Sequence, residues 1–116
     1  MSQDTAKSKR RYDRIPTPKG LWVAWQHNTN QNVSRVRDLN VGGLFVATPI
    51  PVPTGAVIQL LLSVPEGEIR SQAIVRNVTP GEGIGVEFKD MSAQNQERIE
   101  RLVARLLAAG PNEPSS

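Results

Sequence analysis

Short apolar runs with a two-residue period, separated by turn residues, fill the chain from residue 21 to residue 88. In the first run Leu21, Val23 and Trp25 share one face of an extended chain. The pattern predicts strands at 21–27, 33–38, 44–48, 56–64, 68–78 and 84–88. The run at 56–64 is the most continuously apolar, which predicts a strand buried on both faces or at the centre of a barrel.

The period changes after Ser92, which suits the N-cap position of a helix. Apolar residues then recur at helical spacing until Gly110 and Pro111, which end helices. The predicted apolar stripe consists of Ile99, Leu102, Val103, Leu106 and Leu107. Six short antiparallel strands close naturally into a small β-barrel, so the sequence predicts such a barrel with one C-terminal α-helix laid over an open end or seam.

The length of 116 residues suits one domain with flexible ends. Residues 1–14 carry almost no apolar surface, which predicts a flexible basic arm. Residues 15–109 are expected to form the barrel and the helix, and residues 110–116 a disordered tail.

Composition argues against several classes of protein. With no cysteine and one histidine, disulfides and thiolate metal sites are excluded, and neither a metal centre nor an enzyme is expected. No apolar run approaches the roughly 18 residues of a membrane helix, and no secretory signal precedes the arm, so we expect no membrane insertion and a cytoplasmic location.

Basic residues crowd the end of the predicted arm. They are Lys9, Arg10, Arg11 and Arg14 (with Lys7 nearby), and Arg10 and Arg14 are four residues apart. Each guanidinium is a rigid fork of donors that suits a phosphate or the O6/N7 edge of guanine. The segment favours an anionic partner, although a solvated basic tail has the same composition.

The turn after the second predicted strand carries a second set of candidate residues. Asp38 is an acceptor for the N1–H and N2–H₂ groups of guanine, and Asn40 offers both donors and an acceptor. Gly43 has no side chain, so a ligand could approach the backbone there. An ordinary turn is the alternative, because Asp, Asn and Gly are common turn residues.

Together the two segments resemble a PilZ domain over residues 9–108. An RxxxR pattern at Arg10 and Arg14 is followed, about two dozen residues later, by a pattern similar to DxSxxG from Asp38 to Gly43. The phrases RRYDRI, RDLNVGGLFV and GIGVEF, with the closing amphipathic helix, are also similar to that family.

The resemblance implies a six-stranded barrel that binds cyclic di-GMP as its ligand, with no cofactor. It implies that the two motif arginines hold the phosphates and the guanine edges, and that the second motif holds the other side of the guanine. The full predicted binding set is Lys9, Arg10, Arg11, Arg14, Asp38, Asn40 and Gly43. The family usually has Ser where this chain has Asn40, which bears on affinity, and a basic residue at Lys9 implies a stacked nucleotide dimer.

Two other functions remain open from the sequence. A PilZ-like adaptor with weak or lost nucleotide binding would act only through protein contacts. A small nucleic-acid-binding barrel with a basic arm is less favoured, because aromatic residues make up only 4% of the chain. In the receptor interpretation, a domain without an output domain must act on a separate effector protein.

Overall fold

The structure is a computed structural model, and it describes residues 15–17 and 20–109. Elements in this part are β1 (Ile15–Pro16), β2 (Trp22–His27), β3 (Asn30–Asn40), β4 (Gly43–Ala47), β5 (Val57–Val64), β6 (Gly67–Thr79), β7 (Gly83–Lys89) and α1 (Ala93–Ala109). The arm at 1–14 and the tail at 110–116, both predicted to be flexible, lie outside the described residues.

The six longer strands form a closed antiparallel barrel, as predicted. Their order is β3-β2-β5-β6-β7-β4, and pairing of β3 with β4 closes the ring. The long strands β3 and β6 each pair with one neighbour along their first half and with another along their second half. The two-residue strand β1, which pairs with the end of β3, was not predicted, because two residues including a proline give no periodic signal.

The barrel interior is a continuous apolar core. Strand β5 contributes Ile58, Leu60 and Leu62 to the core, whereas Val57 is 46% exposed on the outer face. The predicted burial of β5 on both faces or at the barrel centre was therefore wrong, because only one face of the strand is buried. In a small barrel each strand has one face toward the core and one toward solvent, so apolar residues at alternate positions of β5 lie outside.

Helix α1 begins as predicted. The Ser92 hydroxyl accepts a hydrogen bond from the Asn95 backbone nitrogen at 3.1 Å, which caps the first turn. Of the predicted stripe, Ile99, Leu102, Val103 and Leu106 are buried. Leu107 is 58% exposed, so its predicted place in the core was wrong.

Side chains of α1 bind the backbone of β6 directly. Asn95 donates from Nδ2 to the carbonyl oxygen of Arg70 at 2.9 Å, and Arg98 donates from Nη1 to that of Glu68 at 2.6 Å. These residues of β6 precede the part that pairs with β7, so the helix satisfies a stretch of strand edge. Among the described residues, no helix has the length and apolar character needed to cross a membrane.

Candidate functional site

The turn between β3 and β4 is shaped by one side chain. Asn40 Oδ1 accepts hydrogen bonds from the backbone nitrogens of Gly42 at 2.7 Å and Gly43 at 2.9 Å. This is the local arrangement that makes Asn a favourable turn residue. The side-chain carbonyl oxygen of Asn40 is therefore hydrogen-bonded to the backbone of its own motif.

A β-bulge turns the second motif toward solvent. The pairing of β3 with β4 shifts by one residue between Val36 and Asp38, so that Arg37 is the inserted residue. Val36 and Leu39, on either side of the insertion, are both fully buried, whereas Asp38 and Asn40 are half-buried on the outer face. Both predicted polar residues of the motif thus lie on the outside of the barrel.

Arg37 covers an aromatic ring next to this motif. Its guanidinium carbon is 4.2 Å from the centroid of the Phe45 ring, and Arg37 Nη1 is 3.6 Å from Glu82 Oε1. Phe45 is directly opposite Asp38 in the pairing of β3 with β4. Stacking and an ion pair therefore hold the Arg37 side chain over the residue that pairs with Asp38.

Gly43 is required by packing within the barrel. A Cβ atom at this position would be 2.0 Å from the carbonyl oxygen of Val86, because β4 and β7 approach closely here. We had expected the missing side chain to admit a ligand to the backbone. The structure shows a packing reason for the glycine, since the space that a side chain would occupy is filled by β7, and contact of a ligand with its backbone stays a prediction.

A surface pocket of about 260 Å³ adjoins the turn. Asn40, Gly42 and Gly43 line one side of it, and Arg76 and Glu87 line the other. Arg76 Nε donates to Glu87 Oε1 at 2.6 Å, so the pocket contains a guanidinium held in place by a carboxylate. Asp38 lies outside the pocket lining, on the neighbouring part of the same outer face.

Arg76 and Glu87 were not predicted as site residues. A second β-bulge, between Val75 and Asn77, sets which residues of β6 and β7 lie opposite each other. Sequence alternation shows that Arg76 lies in a strand, but it does not reveal a bulge two strands away from the motif.

Strand β1 lies against the second motif. Ile15 pairs with Leu39 and Pro16 pairs with Asp38. Thr17 continues the contact, because its backbone nitrogen donates to the Arg37 carbonyl oxygen at 3.1 Å and its hydroxyl donates to that of Val36.

The predicted binding residues of the arm lie outside the described part of the chain. They are Lys9, Arg10, Arg11 and Arg14. Arg14 directly precedes Ile15 in sequence, and Ile15 lies beside the second motif. The structure therefore brings the start of the barrel to Asp38.

Comparison with known families fits this architecture. The family model for the PilZ domain matches residues 8–105. The chain belongs to the PilZ domain family. A search of curated protein sequences found no match.

Solved structures share the fold of this PilZ domain at low sequence identity. The complex of K. pneumoniae MrkH with c-di-GMP superposes with a TM-score of 0.73 at 21% identity, covering 90% of this chain and 55% of MrkH. The PilZ domain of YcgR from Escherichia coli, with c-di-GMP, gives 0.71 at 18% identity and covers 93% of this chain and 98% of that one. The PilZ domain of CeSA from a cellulose-synthesizing bacterium gives 0.64 at 20% identity, covering 82% of this chain and 98% of that one. The alignment with K. pneumoniae MrkH in its apo state covers 50% of the MrkH chain, so this PilZ domain spans about half of that chain's length.

Proposed function

We propose that this PilZ domain is a receptor for cyclic di-GMP, and that it signals by contact with an effector protein and not by catalysis. Structures of relatives with the same fold, MrkH and the YcgR PilZ domain, are complexes with this nucleotide. The sequence motifs and the pocket beside the β3–β4 turn supply the groups that such a ligand requires.

One observation carries the proposal. Ile15, the residue after Arg14, pairs with Leu39, and Pro16 pairs with Asp38. The chain that leaves β1 toward the arm therefore starts beside the carboxylate of the second motif. An arm with Arg14 at its base and Arg10 four residues further out has the reach to close over a ligand on this face.

The two motifs have complementary chemistry in this proposal. Arg10 and Arg14 donate to phosphate oxygens and to the O6/N7 edge of guanine, for which guanidinium forks are suited. Asp38, on the outer face, accepts from the N1–H and N2–H₂ groups of a guanine. Lys9 and Arg11 add positive charge, and Lys9 favours a second, stacked nucleotide.

The turn supports the ligand mainly through its shape. Asn40 Oδ1 is engaged with the nitrogens of Gly42 and Gly43, so we assign Asn40 the task of holding the turn against the pocket. Arg76 lies on the side of the pocket opposite the turn and is held there by its hydrogen bond to Glu87. It therefore provides a preorganised cation for an anionic ligand.

Relay of the signal would follow from ordering of the arm. A segment of 14 residues that becomes fixed on the outer face changes the surface available to a partner, which is an order–disorder switch. We place this event in the cytoplasm, in keeping with a chain that has no cysteine.

Calorimetric titration with cyclic di-GMP tests the proposal. We expect saturable binding, with GMP and GTP far weaker, and two nucleotides per chain if Lys9 supports a stacked dimer. The matched control is Arg101→Ala, which removes an exposed guanidinium of α1 far along the chain from both motifs and should bind as the wild type does.

Absence of binding by a folded chain at low micromolar concentration would overturn the receptor proposal in favour of the adaptor. Tight binding of random single-stranded oligonucleotides with a steep salt dependence would favour a nucleic-acid-binding barrel instead.

A further inference from the structure

The bulge in β3 places two consecutive residues on the same side of the barrel. In a regular strand Arg37 and Asp38 would point to opposite faces, but the bulge between Val36 and Asp38 leaves both on the outer face. The backbone is fixed here by contact with the segment after β1, because the Thr17 nitrogen donates to the Arg37 carbonyl oxygen at 3.1 Å. Arg37 is therefore held as an outward-facing neighbour of the motif aspartate.

The side chain of Arg37 forms the top of a three-layer stack. The bottom layer is the backbone of β7 at Gly83, where a Cβ atom would be 2.4 Å from Cε1 of the Phe45 ring. The ring therefore lies directly against the glycine, and the Arg37 guanidinium carbon lies over the ring, 4.2 Å from its centroid. Phe45 is only 8% exposed, so the layers below and above it cover most of its surface.

One face of the Arg37 guanidinium remains open to solvent. The inner face is against Phe45, and at the edge of the group Nη1 lies 3.6 Å from Glu82 Oε1. Despite both contacts, 43% of the Arg37 side chain is exposed. The domain thus presents a flat cation that is supported from below and restrained at one edge.

A flat cation with an open face suits a nucleobase. Guanidinium groups stack on aromatic rings, and unstacked bases bound by proteins stack on arginine planes. Phosphate groups instead bind at the edge of the guanidinium fork, and one edge donor of Arg37, Nη1, already faces Glu82. The open face of Arg37 therefore favours the ring of a base.

We propose that Arg37 is a further ligand-binding residue, on which one guanine of the nucleotide stacks. The inference rests on the proposed function, because it requires a ligand that carries guanine. In that function the N1–H and N2–H₂ groups, which lie in the plane of the base, donate to Asp38. A base held by this edge at Asp38 has a face available to the adjacent Arg37.

Phe45 and Glu82 act as positioning residues in this proposal. Phe45 supports the inner face of the Arg37 guanidinium, and Glu82 restrains its Nη1 atom. Both contacts exist without a ligand, so the arginine loses little conformational freedom when a base stacks on it. Such preorganisation increases affinity because less ordering remains to be done on binding.

Substitutions at position 37 separate stacking from charge. In calorimetric titration with cyclic di-GMP, Arg37→Ala should weaken binding about tenfold, as expected for loss of one base-stacking contact. Arg37→Lys keeps the charge but removes the flat group, so it should weaken binding about as much. Arg70→Ala and Arg70→Lys are the matched controls and should bind as the wild type does. Arg70 is also an exposed strand arginine beside a glutamate, 3.4 Å from Glu68, but it lies where β6 pairs with β5.

NMR spectroscopy of the wild type observes the contact directly. Ring current from a stacked guanine should shift the Arg37 Nε–H and Hδ signals upfield when cyclic di-GMP is added, and Arg37→Lys assigns those signals. An arginine that only supports the strand would keep its signals unchanged. Glu82→Gln removes the ion pair, and it should weaken binding about threefold and reduce the upfield shift.

The outcomes distinguish this inference from the receptor proposal. Binding by both Arg37 variants as tight as that of the wild type would overturn the inference alone. Full binding by Arg37→Lys together with weak binding by Arg37→Ala would also overturn it, because charge and not stacking would then be the contact. Thermal melts show whether each variant is folded, and if one is not, the NMR shift in the wild type decides. A wild-type chain that binds no cyclic di-GMP would overturn the receptor proposal and this inference with it.

Discussion

Arg105 donates two hydrogen bonds to Glu66, one from Nε to Oε2 at 2.5 Å and one from Nη2 to Oε1 at 3.1 Å. The contact joins α1 to the turn between β5 and β6, and only 10% of the Glu66 side chain is exposed. The Arg105 guanidinium holds the pKa of Glu66 below its ordinary value of 4.5, despite the opposing effect of burial. The pair is thus the charged link that fastens the helix to the barrel.

Glu66 should make the domain sensitive to acid. Because its pKa is lower in the folded state, its stabilising contribution is complete above pH 4.5 and is lost as the pH falls through the folded-state pKa. We expect Glu66→Gln to reduce the free energy of unfolding at neutral pH by about 1 kcal/mol and to flatten its decrease in acid. Urea unfolding between about pH 2 and pH 7 measures both effects.

Glu97→Gln is the control for this experiment. The Glu97 and Arg101 side chains are 64% and 61% exposed and 3.5 Å apart, so this change should cost only about 0.3 kcal/mol. An unchanged acid profile in Glu66→Gln would contradict the assigned role.

Replacement of Gly43 should destabilise the barrel itself. In Gly43→Ala the new Cβ would meet the Val86 carbonyl oxygen at 2.0 Å, and relief of that clash must separate β4 from β7. We expect a loss of about 2 kcal/mol or more in the free energy of unfolding. Gly42→Ala is the matched control, because its Cβ would be 3.4 Å from Asn40 Oδ1, an ordinary contact. Equal stability of the two variants in denaturant unfolding would refute the packing role.

Asn40 can be tested by two substitutions that differ in one property. Asn40→Ser keeps an oxygen that can accept from the turn nitrogens, and we expect it to bind cyclic di-GMP as well as the wild type or better. Asn40→Ala removes the acceptor and should weaken binding by loosening the turn. Calorimetry on both variants distinguishes the roles. A tenfold weaker Asn40→Ser would mean that the amide group makes a specific ligand contact.

The motif arginines should matter for binding and not for folding. We expect Arg10→Ala and Arg14→Ala each to cost about 2–5 kcal/mol of binding free energy, as for one side of a charged, hydrogen-bonded pair. The melting temperature without ligand should hardly change, because both residues precede β1. A large fall in that temperature would instead assign the arginines a structural role.

Ligand binding should order the arm. Amide hydrogen exchange should show residues 8–14, which precede β1, unprotected without cyclic di-GMP and protected with it, while β5 stays protected in both states. The entropy lost on ordering is subtracted from the contact energy, so affinity should be moderate for so many charges. An arm already protected without ligand would reject the switch but leave the receptor proposal standing.

The sequence predicted the barrel because alternation and turn residues are local properties of a chain. It predicted Ser92 as the helix cap for the same reason, since the bond from Asn95 spans only three residues. The burial of β5 and the exposure of Leu107 were misjudged, because apolar character alone does not say which side of an element faces the core.

The site was only partly predictable. Asp38 and Asn40 could be singled out because they lie together in one motif, and the structure places both on the outer face, while their part in binding stays a prediction. Arg76 and Glu87 were missed, because their place beside Gly43 depends on the closure of the barrel and on the register of β6 with β7.

The one-residue insertion at Arg37 has a consequence for comparing related chains. Along an uninterrupted strand, Asp38 and Asn40 would share the inward direction of Val36, and the insertion is what reverses their orientation. A relative that lacks the residue after Val36 needs no bulge, because its aspartate then follows the inward-facing valine directly and faces outward by simple alternation. A relative that keeps one residue between the valine and the aspartate presents the motif outward only if its strand also carries the bulge, so the letters of the motif indicate an outward site only when this spacing and the bulge agree.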